Sequence, residues 1–189
     1  MKKQIKTVVY DEQLRLEAFR FEDFVQPFSN HFHEYYVIGL VEKGRRLLSC
    51  KNREYVIGAD DILLFNPGDN HSCAQTDGDV MDYRSFNISK EVMLDLARKI
   101  TGRRELPGFS QTVVHDREAA CALLSLHQLV MKGSPEFGKE ELLLFTLSLL
   151  LRRWGQPFPE CIPDCSQEIE AVCTFMEEHY MEHISLEQL

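Results

Sequence analysis

Up to about residue 88 the apolar positions fall in short runs or in alternation: "RLEAFRF", "YYVIGLV", "RRLLSC", "EYVI", "DILLF" and "VMDYRSFNI", separated by "KNR", "GAD" and "NPGDN". Alternation sends successive side chains to opposite faces, and the interruptions are turn formers, so each run predicts a short β-strand. Strands this short and this closely spaced predict a sandwich or a barrel. Beyond residue 88 the period lengthens to that of a helix. Ser89 is placed to cap "KEVMLDLARKI", which stops at Gly102, and Asp116 to cap "REAACALLSLHQLVMK", which stops at Gly133. Ser134, with Pro135 at the first helical position, opens a third helix running to Trp154 and Gly155. The fold class this order implies is α+β, a β-barrel followed by a helical region.

The stretch "GQPFPECIPDC", residues 155–165, carries three prolines and reads as a linker between two units. After it Ser166 caps a further helix, in which Ile169, Val172, Cys173 and Met176 have the i, i+3, i+4, i+7 spacing of one apolar face. In the closing "ISLEQL", Ser185 and Gln188 have the spacing of a capping box, the signal that opens another helix.

Composition narrows the function classes. With 189 residues, 44% of them hydrophobic, the chain can bury a normal core. The basic start "MKKQIKTVVYDEQ" lacks the apolar stretch of a secretory signal, and the longest apolar run, "LLLFTLSLLL", is too short to span a bilayer. A cytoplasmic protein without a membrane partner is expected. Six scattered cysteines, at 50, 73, 121, 161, 165 and 173, agree with reduced thiols. Cys161 and Cys165 form a Cys-x3-Cys pair, but no second pair completes a four-ligand site. A formal net charge of −9 argues against this stretch gripping a phosphate backbone.

Most of the chemistry lies in "NHFHEYYVIGLVEKG". On a strand, His31, His33, Tyr35 and Val37 point one way and Phe32, Glu34, Tyr36 and Ile38 the other. His71, just past the Pro-Gly turn of "FNPGDNHS", is placed to join the first two histidines. Three readings fit these residue types: imidazoles hydrogen-bonding locally at strand ends, a polar cluster fixing a small ligand in a barrel mouth, or a metal site with an open position.

The segments "HFHEYYVIGLVEKG" and "YVIGADDILLFNPGDNH" resemble the two motifs of the cupin barrel, in the form carried by the N-terminal domain of AraC/XylS-type transcription regulators. "EIEAVCTFMEEHYMEHISLEQL" resembles the opening of the DNA-binding domain of the same family. The resemblance implies a cupin-like effector-binding barrel (a double-stranded β-helix) over residues 1–105, a helical dimerisation region over 106–154, a linker over 155–165, and the start of a helix-turn-helix domain over 166–189. It implies a small-molecule effector held by His31, His33, Tyr35 and His71, with DNA contacted only by recognition helices beyond Leu189. No catalytic residue and no cofactor follow from it. Metal-binding cupins place a glutamate four residues after the second histidine, where this chain has Val37, which counts against a metal. The alternative is a cupin metalloenzyme, a dioxygenase or isomerase, with the histidines as ligands.

A homodimer is expected from the helices. Leu142, Leu143, Leu144, Phe145, Leu147, Leu149, Leu150 and Leu151 surround nearly the whole circumference of one helix, and Leu123, Leu124, Leu126, Leu129 and Val130 line its neighbour. One face can pack on the barrel, and a second copy of the chain would cover the rest. Leu123, Leu124, His127, Val130 and Met131 are the expected interface.

Overall fold

In the computed structural model, which describes residues 4–76, 80–133, 138–157, 166–179 and Ser185, the strands come first. They are β1 (Ile5–Asp11), β2 (Leu16–Phe24), β3 (Phe28–His31), β4 (Tyr36–Lys43), β5 (Arg46–Cys50), β6 (Arg53–Ile57), β7 (Asp61–Phe65), β8 (His71–Gln75) and β9 (Met81–Ile88). Then follow α1 (Lys90–Thr101), β10 (Pro107–Phe109), β11 (Val113–His115), α2 (Arg117–Lys132), α3 (Lys139–Trp154), β12 (Gly155–Pro157) and α4 (Ser166–Glu178). The chain divides into two units, Met1–Phe158 and Pro159–Leu189.

The fold of the first unit is α+β and cupin-like. One antiparallel sheet has the order β1-β2-β9-β4-β7-β11, and a second has β3-β8-β5-β6. Their inner faces share one buried cluster: Phe21, Val37, Val41, Leu63 and Phe65 from the first sheet meet Leu48, Cys50, Ile57 and Cys73 from the second. The outer face of the six-stranded sheet, with Tyr36, Ile38, Leu40, Leu64 and Phe86, is covered by Val92 and Leu96 of α1, Leu123, Leu126 and Val130 of α2, and Leu143, Leu147 and Leu150 of α3. That sheet is therefore the middle layer. It explains why "YVIGLV" is an unbroken apolar run: both faces of β4 are buried, each large side chain contributing about 1.5–3 kcal/mol. Gly39 in this strand lies so close to Tyr83 that a Cβ would meet the phenol oxygen at 1.9 Å.

The first two helices start and stop where the sequence signals. Ser89 Oγ accepts from Val92 N–H at 3.2 Å and α1 ends on left-handed Gly102, while Asp116 Oδ1 accepts from Ala119 N–H at 3.0 Å and α2 ends on left-handed Gly133. The third differs. Gly138 has φ 101°, a conformation no right-handed helix contains, so α3 begins at Lys139 without a side-chain cap; Ser134 and Pro135, the expected opening, lie outside the described residues. Residues 106–154 are not wholly helical: β10 and β11 precede α2, and β11 extends the six-stranded sheet by pairing with β7. The start of the expected linker is also a strand, since β12 pairs with β10. Cys161, Cys165 and the "ISLEQL" signal, except for Ser185, fall outside the described residues.

An ion pair ties the chain's beginning to its third helix. Lys139 Nζ lies 2.5 Å from Asp11 Oδ2, and both side chains are buried. Burial alone would raise the Asp11 carboxyl, but the Lys139 hydrogen bond and charge and the Leu14 N–H outweigh it and hold the group below its ordinary value. In the second unit α4 forms as expected, with Ser166 as its first residue rather than its cap, but Cys173 and Met176 on its apolar face are exposed. Among the described residues no helix is long and apolar enough to cross a membrane.

Candidate functional site

Between the sheets lies a cavity of about 330 Å³. Alternation along three strands supplies much of the wall: Phe19 and Phe21 from β2, Leu63 and Phe65 from β7, and Tyr83, Ser85 and Asn87 from β9. Aromatic rings pack around it edge to face, Phe21 against Phe24 at 5.1 Å and against Phe28 at 5.9 Å, while Phe24 stacks on Phe28 at 4.8 Å. Leu48, Ile57 and Met81 complete an apolar cup.

One side of the cup is polar, and it contains the residues singled out from the sequence. His31, His33, Tyr35 and His71 all line the cavity, with Val37 beside them. They do not share a continuous strand, because β3 ends at His31 and the chain bends before β4 starts at Tyr36. The facing survives the bend: Tyr36 and Ile38 join the outer core, and Glu34 is exposed. His71 begins β8, directly across from His31 in the ladder. The Pro67–Gly68 turn ahead of it is fixed to the bend by Gly68 N–H donating to the His33 carbonyl at 2.8 Å.

The three imidazoles form one group, with centroids 4.4 Å apart for His31 and His71, 4.9 Å for His31 and His33, and 5.2 Å for His33 and His71. His71 stacks on Phe65 at 4.0 Å and His33 on Tyr35 at 4.9 Å. His31 Nδ1 lies 2.6 Å from the Ser29 carbonyl and His71 Nδ1 2.9 Å from that of Asp69. A carbonyl only accepts, so both rings carry their proton on Nδ1 and, when neutral, keep a lone pair on Nε2. Burial, and then the neighbouring His71 and His31, push His33 down to about 4; burial also lowers His71, against its hydrogen bond to Asp69. At neutral pH these two rings are uncharged.

The three rings bring one nitrogen ligand atom each to a common point. These atoms lie within 4.8 Å of one another, against roughly 3.4 Å for two nitrogens on one tetrahedral zinc. Val37 lines the cavity where a metallocupin has its carboxylate ligand, so the group offers three imidazole nitrogens and no anionic ligand beside them.

The sequence reading missed Lys6, Phe19, Phe21, Phe28 and the β9 residues of the wall. Period-two spacing was visible in "AFRF" and "YRSFN", but nothing local says which face of those strands looks inward. The five expected dimer residues all lie on α2. Leu123, His127 and Val130 are buried inside the chain itself, and Leu124 and Met131 are half-buried against the same core. His127 Nε2 donates to the Phe19 carbonyl at 2.8 Å and its Nδ1 accepts from Arg84 at 3.1 Å, so α2 spends this face on its own sheet.

A family described as the AraC-like ligand binding domain matches residues 16–148. An uncharacterised HTH-type transcriptional regulator of Bacillus subtilis, YbfI, is 43% identical over 190 residues, taking in 100% of this chain and 69% of that protein. Among solved structures, a cupin superfamily protein from Desulfitobacterium hafniense aligns with a TM-score of 0.40 and 10% identity over 47% of this chain and 79% of that one. An RmlC-like cupin family protein with a double-stranded β-helix fold, from Methanocaldococcus jannaschii, aligns at 0.38 and 11% over 47% of this chain and 91% of that one.

Proposed function

Since this chain belongs to the family of AraC-like ligand-binding domains, being similar over its whole length to a transcriptional regulator, we propose that it senses a small-molecule effector in the cavity between its sheets and passes that state to DNA binding. The observation that carries this reading is the cavity: an apolar cup with one polar side, built from His31, His33, Tyr35 and His71. DNA contacts belong to a helix-turn-helix domain that begins in residues 166–189, and the acidic sensor takes no part in them. The chain is not an enzyme: where a metallocupin has its carboxylate ligand, this chain has Val37. The protein works in the cytoplasm as a homodimer, paired through the outward sides of α2 and α3, where Phe145 is 48% exposed and Leu124 and Met131 are half-buried. Mass spectrometry of small molecules co-purifying with the protein, followed by a melting-temperature panel, tests the sensor reading. A true effector raises the melting temperature with its concentration, and the rise disappears in His71→Ala. A compound whose shift is the same in wild type and in cavity variants does not occupy this site, and a panel yielding only such compounds overturns the reading.

A further inference from the structure

Resting on the sensor reading above, we propose that the effector is a small organic acid with an apolar body, its carboxyl group held by the His31, His33 and His71 cluster and its charge met by Lys6. The first support is what the wall lacks. The chain has 30 Asp and Glu residues and a net charge of −9, yet none of the residues lining the cavity is acidic. Glu17 stands outside the lining, where its carboxylate accepts from Asn87 Nδ2 at 3.2 Å. A cationic ligand would meet no counter-charge in this wall. An anion does not face that obstacle.

Lys6 is the second support. It lines the cavity from β1, its ammonium 5.3 Å from the Phe19 ring centroid and 5.6 Å from that of Phe21. Among the described residues it is paired with no carboxylate. It holds its place on ring faces and keeps its charge for an incoming group.

The hydrogen-bonding pattern of the imidazoles sets the protonation state of that group. With Nδ1–H of His31 and His71 committed to the Ser29 and Asp69 carbonyls, each neutral ring offers a bare Nε2. A carboxylate arriving from neutral solution needs one proton from water, to be shared between its oxygen and such a nitrogen. No bond other than that to hydrogen is made or broken. The groups facing the cluster allow this. His33 stacks on Tyr35, Phe65 beneath His71 is apolar, and the Asp69 carboxylate is already paired with Lys51 at 2.8 Å. Below them Phe21, Phe28, Leu48 and Ile57 offer an apolar bed in a cavity of about 330 Å³, which suits a medium-length alkyl or single-ring body.

Octanoate and phenylpropanoate are the probes, with octanol and octylamine as neutral and cationic counterparts, measured by calorimetry on the chain at neutral pH in two buffers of different ionisation heat. Expected are acids binding at least ~10-fold more tightly than octanol, no binding of octylamine, and uptake of about one proton per bound acid. Lys6→Gln is expected to weaken acid binding about tenfold and leave octanol unchanged. Octanol or octylamine binding as well as the acids, an absence of proton uptake, or acid binding unaffected by Lys6→Gln would overturn the proposal. So would acid binding that is lost on chelation, since the carboxylate would then sit on a metal ion. Tight octanol binding that Phe21→Ala abolishes would refute the acid while leaving the cavity as the sensor site. Binding of any probe that ignores both Phe21→Ala and His71→Ala would remove the cavity reading itself.

Discussion

His33 and His71 reach the same side of the cavity from different elements, one from a bend and the other from the first position of a strand, whereas Glu34 between them in sequence points to solvent. His33→Ala and His71→Ala are each expected to weaken effector binding by about tenfold or more, and Glu34→Ala to leave it within about twofold, as calorimetry on the three variants would register. Acid should also loosen the fold. Burial first, then the neighbouring His71 and His31, lowers His33 to about 4, and burial first, then Arg84 and Arg20, lowers His127 to about 4, from an ordinary 6.5; His71 is shifted the same way. The unfolded chain therefore binds protons that the folded chain refuses, so stability is full above pH 6.5 and falls as the pH drops from 6.5 through 4. Melting temperatures measured across that window should decline steadily, and a flat profile would show that these rings are not held neutral. His31, His33 and Tyr35 were legible in the sequence because a period of two carries through the bend, and His71 because it follows a Pro-Gly turn at the head of a strand. Lys6 was not, because a cation on an edge strand has no local mark distinguishing a cavity wall from solvent.

Elements were easier to foresee than their ends. The apolar runs located β2, β4, β5, β6, β7 and β9, and side-chain caps located α1 and α2, since each of these signals acts within a few residues. Strands β3, β8, β10 and β11 are short and mixed in polarity, and what holds them is pairing with partners distant in sequence. Close packing gives β4 its sharpest test. A methyl group at Gly39 would overlap the Tyr83 side chain, whose own position is fixed by the core, so Gly39→Ala should cost roughly 1–3 kcal/mol in chemical denaturation. An unchanged midpoint would mean that the tyrosine moves freely and that the cavity wall is softer than its packing indicates.

For the molecule as a whole, the leucine-rich helices led to a sound premise and an incomplete conclusion. They are apolar around most of their circumference, but the sheet's outer face and the neighbouring helix cover far more of it than single-helix reasoning allows. Phe145 remains outward, and Leu124, Leu129, Met131, Leu142, Leu144 and Leu151 are part-covered. Light scattering at micromolar concentration should give a dimer mass, and Phe145→Glu combined with Leu124→Glu should give a monomer with its far-ultraviolet dichroism intact; a variant that stays dimeric would place the interface elsewhere.

The buried pair of Asp11 and Lys139 also bears on how the protein comes into being. A carboxylate drawn into an apolar layer without its cation is strongly unfavourable, on the order of 3–5 kcal/mol when one partner of such a pair is missing. The end of the strand that leaves the ribosome early is therefore expected to be sealed into the core only once residue 139 has followed it out. Until then its tip, though paired with the second strand, should stay hydrated and open to attack. The last helix of the sensor unit is the clasp that closes the first strand, and a fragment ending short of it, however complete its barrel sequence, should be handled by the cell as unfinished.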